Sequence, residues 1–157
     1  MWPELPERGV YTLVICLEKG LAFDAGSLGR VVLRPGFYLY TGSGLGPGPL
    51  SLRGRVRRHL GARKKPFWHI DYLLEQSGAR VVAVVASPSL IKEECRVNQA
   101  LIEGLEAEVP VRGFGSSDCR SGCPAHLLYA GREDPSEAVL ATYRRLGLRP
   151  VLLRPGR

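Results

Sequence analysis

Residues 10–17 read VYTLVICL, an almost unbroken run of apolar, β-branched and aromatic side chains. A strand with one face in water alternates apolar and polar residues. This one does not, and it predicts a strand buried on both faces. Working outward, Arg30 to Leu33 (RVVL) and Phe37 to Thr41 (FYLYT) predict two more strands. They flank Pro35-Gly36, a dipeptide suited to a tight turn, so the chain is expected to open as an antiparallel meander. The stretch Gly42 to Pro49 (GSGLGPGP) reads as loop.

Beyond the loop, Leu52, Val56 and Leu60 recur every four residues and define a helix with a single apolar stripe. On that helix Arg55 and His59 fall along one edge of the stripe, Arg53 and Arg57 along the other, and Arg58 points outward. Trp68 to Gln76 reads as further helix and Arg80 to Ala86 as a buried strand. Ser89 is expected to cap a helix that continues through Leu105. The turn-rich GFGSSDCRSGCP precedes a strand at His126 to Ala130, a helix at about 136–146 and a short terminal strand. The fold class expected is α+β, a small central antiparallel or mixed sheet flanked by helices. The chain reads as one domain over residues 1–157, with a core at about 9–106 and a C-terminal extension at about 107–157.

The 157 residues carry 22 Lys+Arg against 15 Asp+Glu, a formal net charge of +7. The excess is local. Arg53, Arg55, Arg57, Arg58, Arg63, Lys64 and Lys65 fall in one stretch without an acid, and the remainder balances. A near-neutral body with one concentrated cationic segment points to nucleic acid or another polyphosphate as partner. With 45% hydrophobic and 24% charged residues, the composition excludes wholesale disorder. No apolar run approaches the roughly 20 residues that span a bilayer, and no signal-peptide pattern opens the chain, so no membrane partner is expected and the cytoplasm is the expected compartment. Arginine far outnumbers lysine and Asn98, Gln76 and Gln99 are the only side-chain amides, a composition that fits a thermophile or a GC-rich genome.

Two further patterns bear on chemistry. The helix read from Ser89 places Glu94 and Asn98 in the middle of its apolar face. A carboxylate held there needs a partner, either an arginine or a metal ion. Cys119, Cys123 and His126 form Cys-x3-Cys-x2-His, to which Cys95 could add a fourth ligand. That spacing is irregular for a structural zinc site, and a turn carrying reduced cysteines is the preferred reading. His69 and Asp71, two residues apart, cannot share a helical face and make a poor metal pair.

The order of these residues carries a resemblance. Gly9-Val10-Tyr11 and Tyr40-Thr41-Gly42, followed by Ser43 and then by Arg55-Val56-Arg57-Arg58-His59-Leu60, resemble the GIY-YIG nuclease superfamily. The longer pattern, with YLYTGSG, WHIDYLL, Glu94-Cys95 and GFGSSDC, resembles its mainly archaeal and thermophile branch, sometimes fused to an endonuclease III-like glycosylase. The resemblance implies a metal-dependent DNA endonuclease acting in repair or processing, with a repair protein as possible partner. It implies Tyr11 as base or water-positioning group, able to ionise near neutrality only if cations stabilise its phenolate. Arg55 would contact the scissile phosphate, Tyr40 would hydrogen-bond within the site, and His59 would contact phosphate or shuttle a proton. Glu94 would hold one Mg²⁺ or Mn²⁺ ion. Arg53, Arg57, Arg58, Arg63, Lys64 and Lys65 remain as phosphate-holding cations. Read without the resemblance, Tyr11 and Tyr40 are core tyrosines, and the basic helix 53–65 serves a noncatalytic DNA- or RNA-binding module.

Overall fold

The computed structural model describes residues 5–61, 65–115 and 123–155. Strand β1 (Gly9–Leu17) lies at the centre of a five-stranded sheet, between β4 (Gly36–Gly44) and β5 (Ala79–Pro88). With β6 (Leu127–Tyr129) and β7 (Val151–Leu153) at the edges, the order is β6-β4-β1-β5-β7 and every pairing is antiparallel. Both edge strands come from the region expected to be an extension.

The unbroken apolar character of β1 follows from its place. Tyr11, Leu13, Ile15 and Leu17 enter one core, shared with Leu52 and Val56 of α1 (Leu52–Leu60) and Ile70 and Leu73 of α2 (His69–Leu74). Val10 and Val14 enter a second core on the other face, with Val97 and Leu101 of α3 (Glu94–Leu105) and Val139 and Tyr143 of α4 (Ser136–Arg145). Each fully buried aliphatic or aromatic side chain contributes about 1.5–3 kcal/mol of transfer free energy, so a polar residue on either face would be costly. Thr12 is tolerated because its hydroxyl meets Thr41 Oγ1 at 2.9 Å and the Tyr143 hydroxyl at 2.8 Å.

Helix α1 starts at Ser51, whose Oγ accepts the Gly54 N–H at 3.0 Å, and buries Leu52 and Val56 as the four-residue repeat predicts. Three sequence expectations change. The meander does not form. Strand β3 (Arg30–Leu33) pairs with β2 (Leu21–Asp24) as a separate two-stranded ribbon, and β4 returns to β1. The reason lies in burial: β3 alternates buried Val31 and Leu33 with exposed Arg30 and Val32, whereas β4 is buried along most of its length.

Second, Gly42, Ser43 and Gly44 belong to β4, opposite Tyr11, Val10 and Gly9. Their glycines serve close approach, since a Cβ added at Gly42 would lie 2.7 Å from the Tyr11 hydroxyl. Third, α3 begins at Glu94 and not at Ser89, whose Oγ instead closes a local turn with Ile91 N–H and C=O. Leu90 and Ile91 are consequently exposed and belong to no apolar helix face.

Candidate active site

Strand β1 and helix α1 meet at Tyr11 and His59. The Tyr11 hydroxyl lies 2.7 Å from His59 Nε2, and both side chains are buried. This contact follows from the helix stripe: burying Leu52 and Val56 turns the Arg55–His59 edge towards the sheet. Tyr40, on the neighbouring strand, closes the other side of the imidazole with its ring edge-on at 6.0 Å. Trp68, just before α2, lies 6.2 Å from the imidazole and has the Arg55 guanidinium over its ring at 5.0 Å.

Burial is the largest influence on the Tyr11 phenol and pushes its pKa well above the ordinary value near 10. The neighbouring Tyr40 and Glu94 push the same way, while Arg55 opposes them by charge and by hydrogen bonding. The cation is therefore present but does not prevail, and Tyr11 stays protonated at neutral pH. Tyr40 is raised as well, by burial first, with Arg55 lowering it and Glu94 and Asp71 raising it. Tyr11, Tyr40, Arg55, His59 and Glu94 thus share one neighbourhood.

Glu94 occupies a different setting from the one its expected helix implied. It is the first residue of α3, where the helix N-terminus favours a carboxylate. It reaches tyrosines of the first core, although the helix's fully buried apolar residues belong to the second. Its Oε1 is buried without a hydrogen-bond partner among the described residues, and so is Arg55 Nε. A buried carboxylate oxygen with no donor fits a hard divalent cation, the chemistry expected of Glu94.

Comparison with known proteins identifies the family. A family model described as a domain of unknown function, DUF123, matches residues 10–148, from β1 to the turn after α4. The chain belongs to the DUF123 family. No curated protein and no solved structure matches it.

The cationic segment of this DUF123 domain divides by role. Arg57 and Lys65 are exposed. Arg53 donates to the Leu5 carbonyl at 2.7 Å and meets Glu7 at 3.2 Å. Arg58 does not simply point outward: it donates to Asp71 Oδ2 at 2.7 Å and to the Lys65 carbonyl at 3.1 Å. Asp71 is buried, and a buried carboxylate needs a counter-charge. Burial alone would raise its pKa, but Arg58 and the Trp68 and Phe67 N–H groups outweigh burial and hold it below the ordinary carboxylate value. Arg63 and Lys64 lie outside the described residues.

His69 stands apart from Asp71. Its Nδ1 accepts the Gly115 N–H at 2.9 Å, and burial lowers its pKa. Trp68 was missed from sequence because one aromatic before a helix carries no signal until its neighbours are known. Tyr40, Phe67, Trp68, His69 and Tyr72 line a cavity of about 300 Å³ beside the site.

A second cluster in the DUF123 domain combines cysteines differently from the sequence expectation. One ligand atom each from Cys95, Cys123 and His126 lie within 4.8 Å of one another. Cys95 is therefore a member in its own right, while Cys119 lies outside the described residues. Burial lowers the His126 pKa, with Glu94 opposing. No helix among the described residues is long and apolar enough to cross a membrane.

Proposed function

We propose that this DUF123 domain is a divalent-metal-dependent endonuclease that hydrolyses DNA phosphodiester bonds in repair or processing. One observation carries the reading: a single buried hydroxyl, that of Tyr11, is faced by an imidazole and a guanidinium from α1 and by a carboxylate from α3. Phosphodiester hydrolysis needs this set, a proton acceptor, a fixed positive charge and a metal-holding acid.

With Tyr11 protonated, its role is to position water and relay a proton. As a water bound against the phenol oxygen gives up its proton there, the phenol passes its own proton to His59 Nε2 and remains neutral throughout. Arg55 offers its charge to the phosphoryl oxygens, and Tyr40 keeps the imidazole in place. Glu94 would hold Mg²⁺ or Mn²⁺, which when bound supplies Lewis-acid stabilisation of the developing negative charge. Arg57 and Lys65 hold the duplex by its phosphates without reading sequence.

The test is incubation of the purified chain with branched, flapped, nicked and plain DNA and Mg²⁺ or Mn²⁺. Tyr11→Phe, Arg55→Ala and Glu94→Ala are expected to lose about 10²–10⁴-fold in cleavage while retaining DNA binding. A wild type that binds DNA or RNA in a salt-sensitive way and cuts nothing would make the domain a noncatalytic binding module.

A further inference from the structure

We propose that Cys95, Cys123 and His126 bind a zinc ion that clamps the first turn of α3 to the segment leading into β6. Zn–S bonds of about 2.3 Å and Zn–N bonds of about 2.0–2.1 Å at tetrahedral angles separate a sulfur and a nitrogen ligand by about 3.6 Å. Cys95 Sγ and His126 Nε2 are 3.7 Å apart. The mutual limit of 4.8 Å for all three ligand atoms leaves room for one ion at their centre. These residues provide three of the four vertices of a tetrahedral site.

Donor chemistry selects the metal. Two thiolates and an imidazole suit zinc and disfavour Mg²⁺ or Ca²⁺, which take oxygen ligands. The site is thereby distinct from the one proposed for Glu94, although Cys95 is its neighbour in sequence.

The surroundings hold the ligands in place. The His126 N–H donates to the Phe114 carbonyl at 2.8 Å, and its carbonyl accepts the Thr41 N–H at 3.3 Å. Asn98, one turn after Cys95 and fully buried, donates its Nδ2 to the Ala125 carbonyl at 2.7 Å. Gln99 Nε2 donates to Cys123 Sγ at 3.9 Å, the kind of contact that orients a thiolate and stabilises its charge. Two side chains of α3 thus already tie the helix to the ligand-bearing segment. A metal there joins residues 31 apart and steadies the turn that carries Glu94.

The test is metal analysis of the chain of residues 1–157, purified under reducing conditions and dialysed free of loose ions. Expected is about one zinc per chain, lost in Cys95→Ser, Cys123→Ser and His126→Ala. Cys16→Ser and Glu94→Gln, which remove no ligand, should retain it. Because ligand variants could fail to fold, the wild type provides a second readout. Exchange of the zinc for Co²⁺ should give the absorption of a tetrahedral thiolate-ligated ion, and chelation should lower the thermal midpoint by on the order of 10 °C, reversed by added zinc. A folded wild type that carries no zinc and takes up no Co²⁺ would overturn the proposal, as would undiminished zinc in the three variants. Because metal content is read without DNA, its outcome is independent of the nuclease reading.

Discussion

The Tyr11 hydroxyl and His59 Nε2, 2.7 Å apart, connect the central strand of the sheet to the basic helix across 48 positions of sequence. Burial keeps the phenol neutral, so the pair can move a proton only through the hydroxyl and onto the imidazole. Ultraviolet titration checks this: wild type minus Tyr11→Phe should show no tyrosinate absorbance below about pH 10 while the protein is folded. A difference signal near neutrality would restore Tyr11 as an ionised base.

Gly42 sits opposite Tyr11 in the β1–β4 pairing and leaves no room for a side chain. Gly42→Ala should therefore displace the Tyr11 ring, costing about 1–3 kcal/mol by overpacking and lowering cleavage further than stability accounts for. Chemical denaturation and single-turnover cleavage at a temperature where both proteins are folded separate the two effects. Equal cleavage by variant and wild type would mean that the ring position is not critical.

Asp71 and Arg58 set a pH-dependent stability. The folded-state pKa of Asp71 is depressed, so its stabilisation is complete above the unfolded-state value near 4 and is lost as pH falls through the folded-state value. Asp71→Asn should be less stable than wild type at neutral pH, with the gap closing as acid is added below about pH 4. Arg58→Ala strands a buried carboxylate and should cost about 2–3 kcal/mol, somewhat under a fully buried pair because Arg58 is partly exposed. Urea melts across pH provide the measurement.

Arg57 offers the contrast. Its side chain is exposed, so Arg57→Ala should leave the melting midpoint unchanged yet reduce the log–log salt slope of DNA affinity by about 0.9, one phosphate contact. An unaltered slope would remove Arg57 from the interface.

Tyr143 marks the opposite face. Its hydroxyl bonds Thr12, which bonds Thr41, and all three are buried away from the proposed site. Tyr143→Phe should cost about 1 kcal/mol and leave the cleavage rate per folded molecule intact, as thermal melts and cleavage assays can establish. A large catalytic loss would tie the second core to the site.

Much of this architecture is legible residue by residue. VYTLVICL specifies a strand covered on both faces because absence of alternation is a local property. Leu52, Val56 and Leu60 orient α1 because helical period is local too, and the seven clustered cations are a matter of counting. The glycines at 42 and 44 misled for the converse reason: their meaning depends on what approaches them.

Tertiary structure decided what depends on distance and burial between segments remote in sequence. It returned β4 to β1 in place of the meander and started α3 at Glu94, leaving Leu90 and Ile91 in solvent. Arg58 was turned towards a buried Asp71, and Cys95 was brought to Cys123 and His126. It also set the opposing influences on the Tyr11 phenol. Sequence names a tyrosine near cations, but the balance between burial, which disfavours the phenolate, and Arg55, which favours it, exists only once strand, helix and carboxylate are packed together.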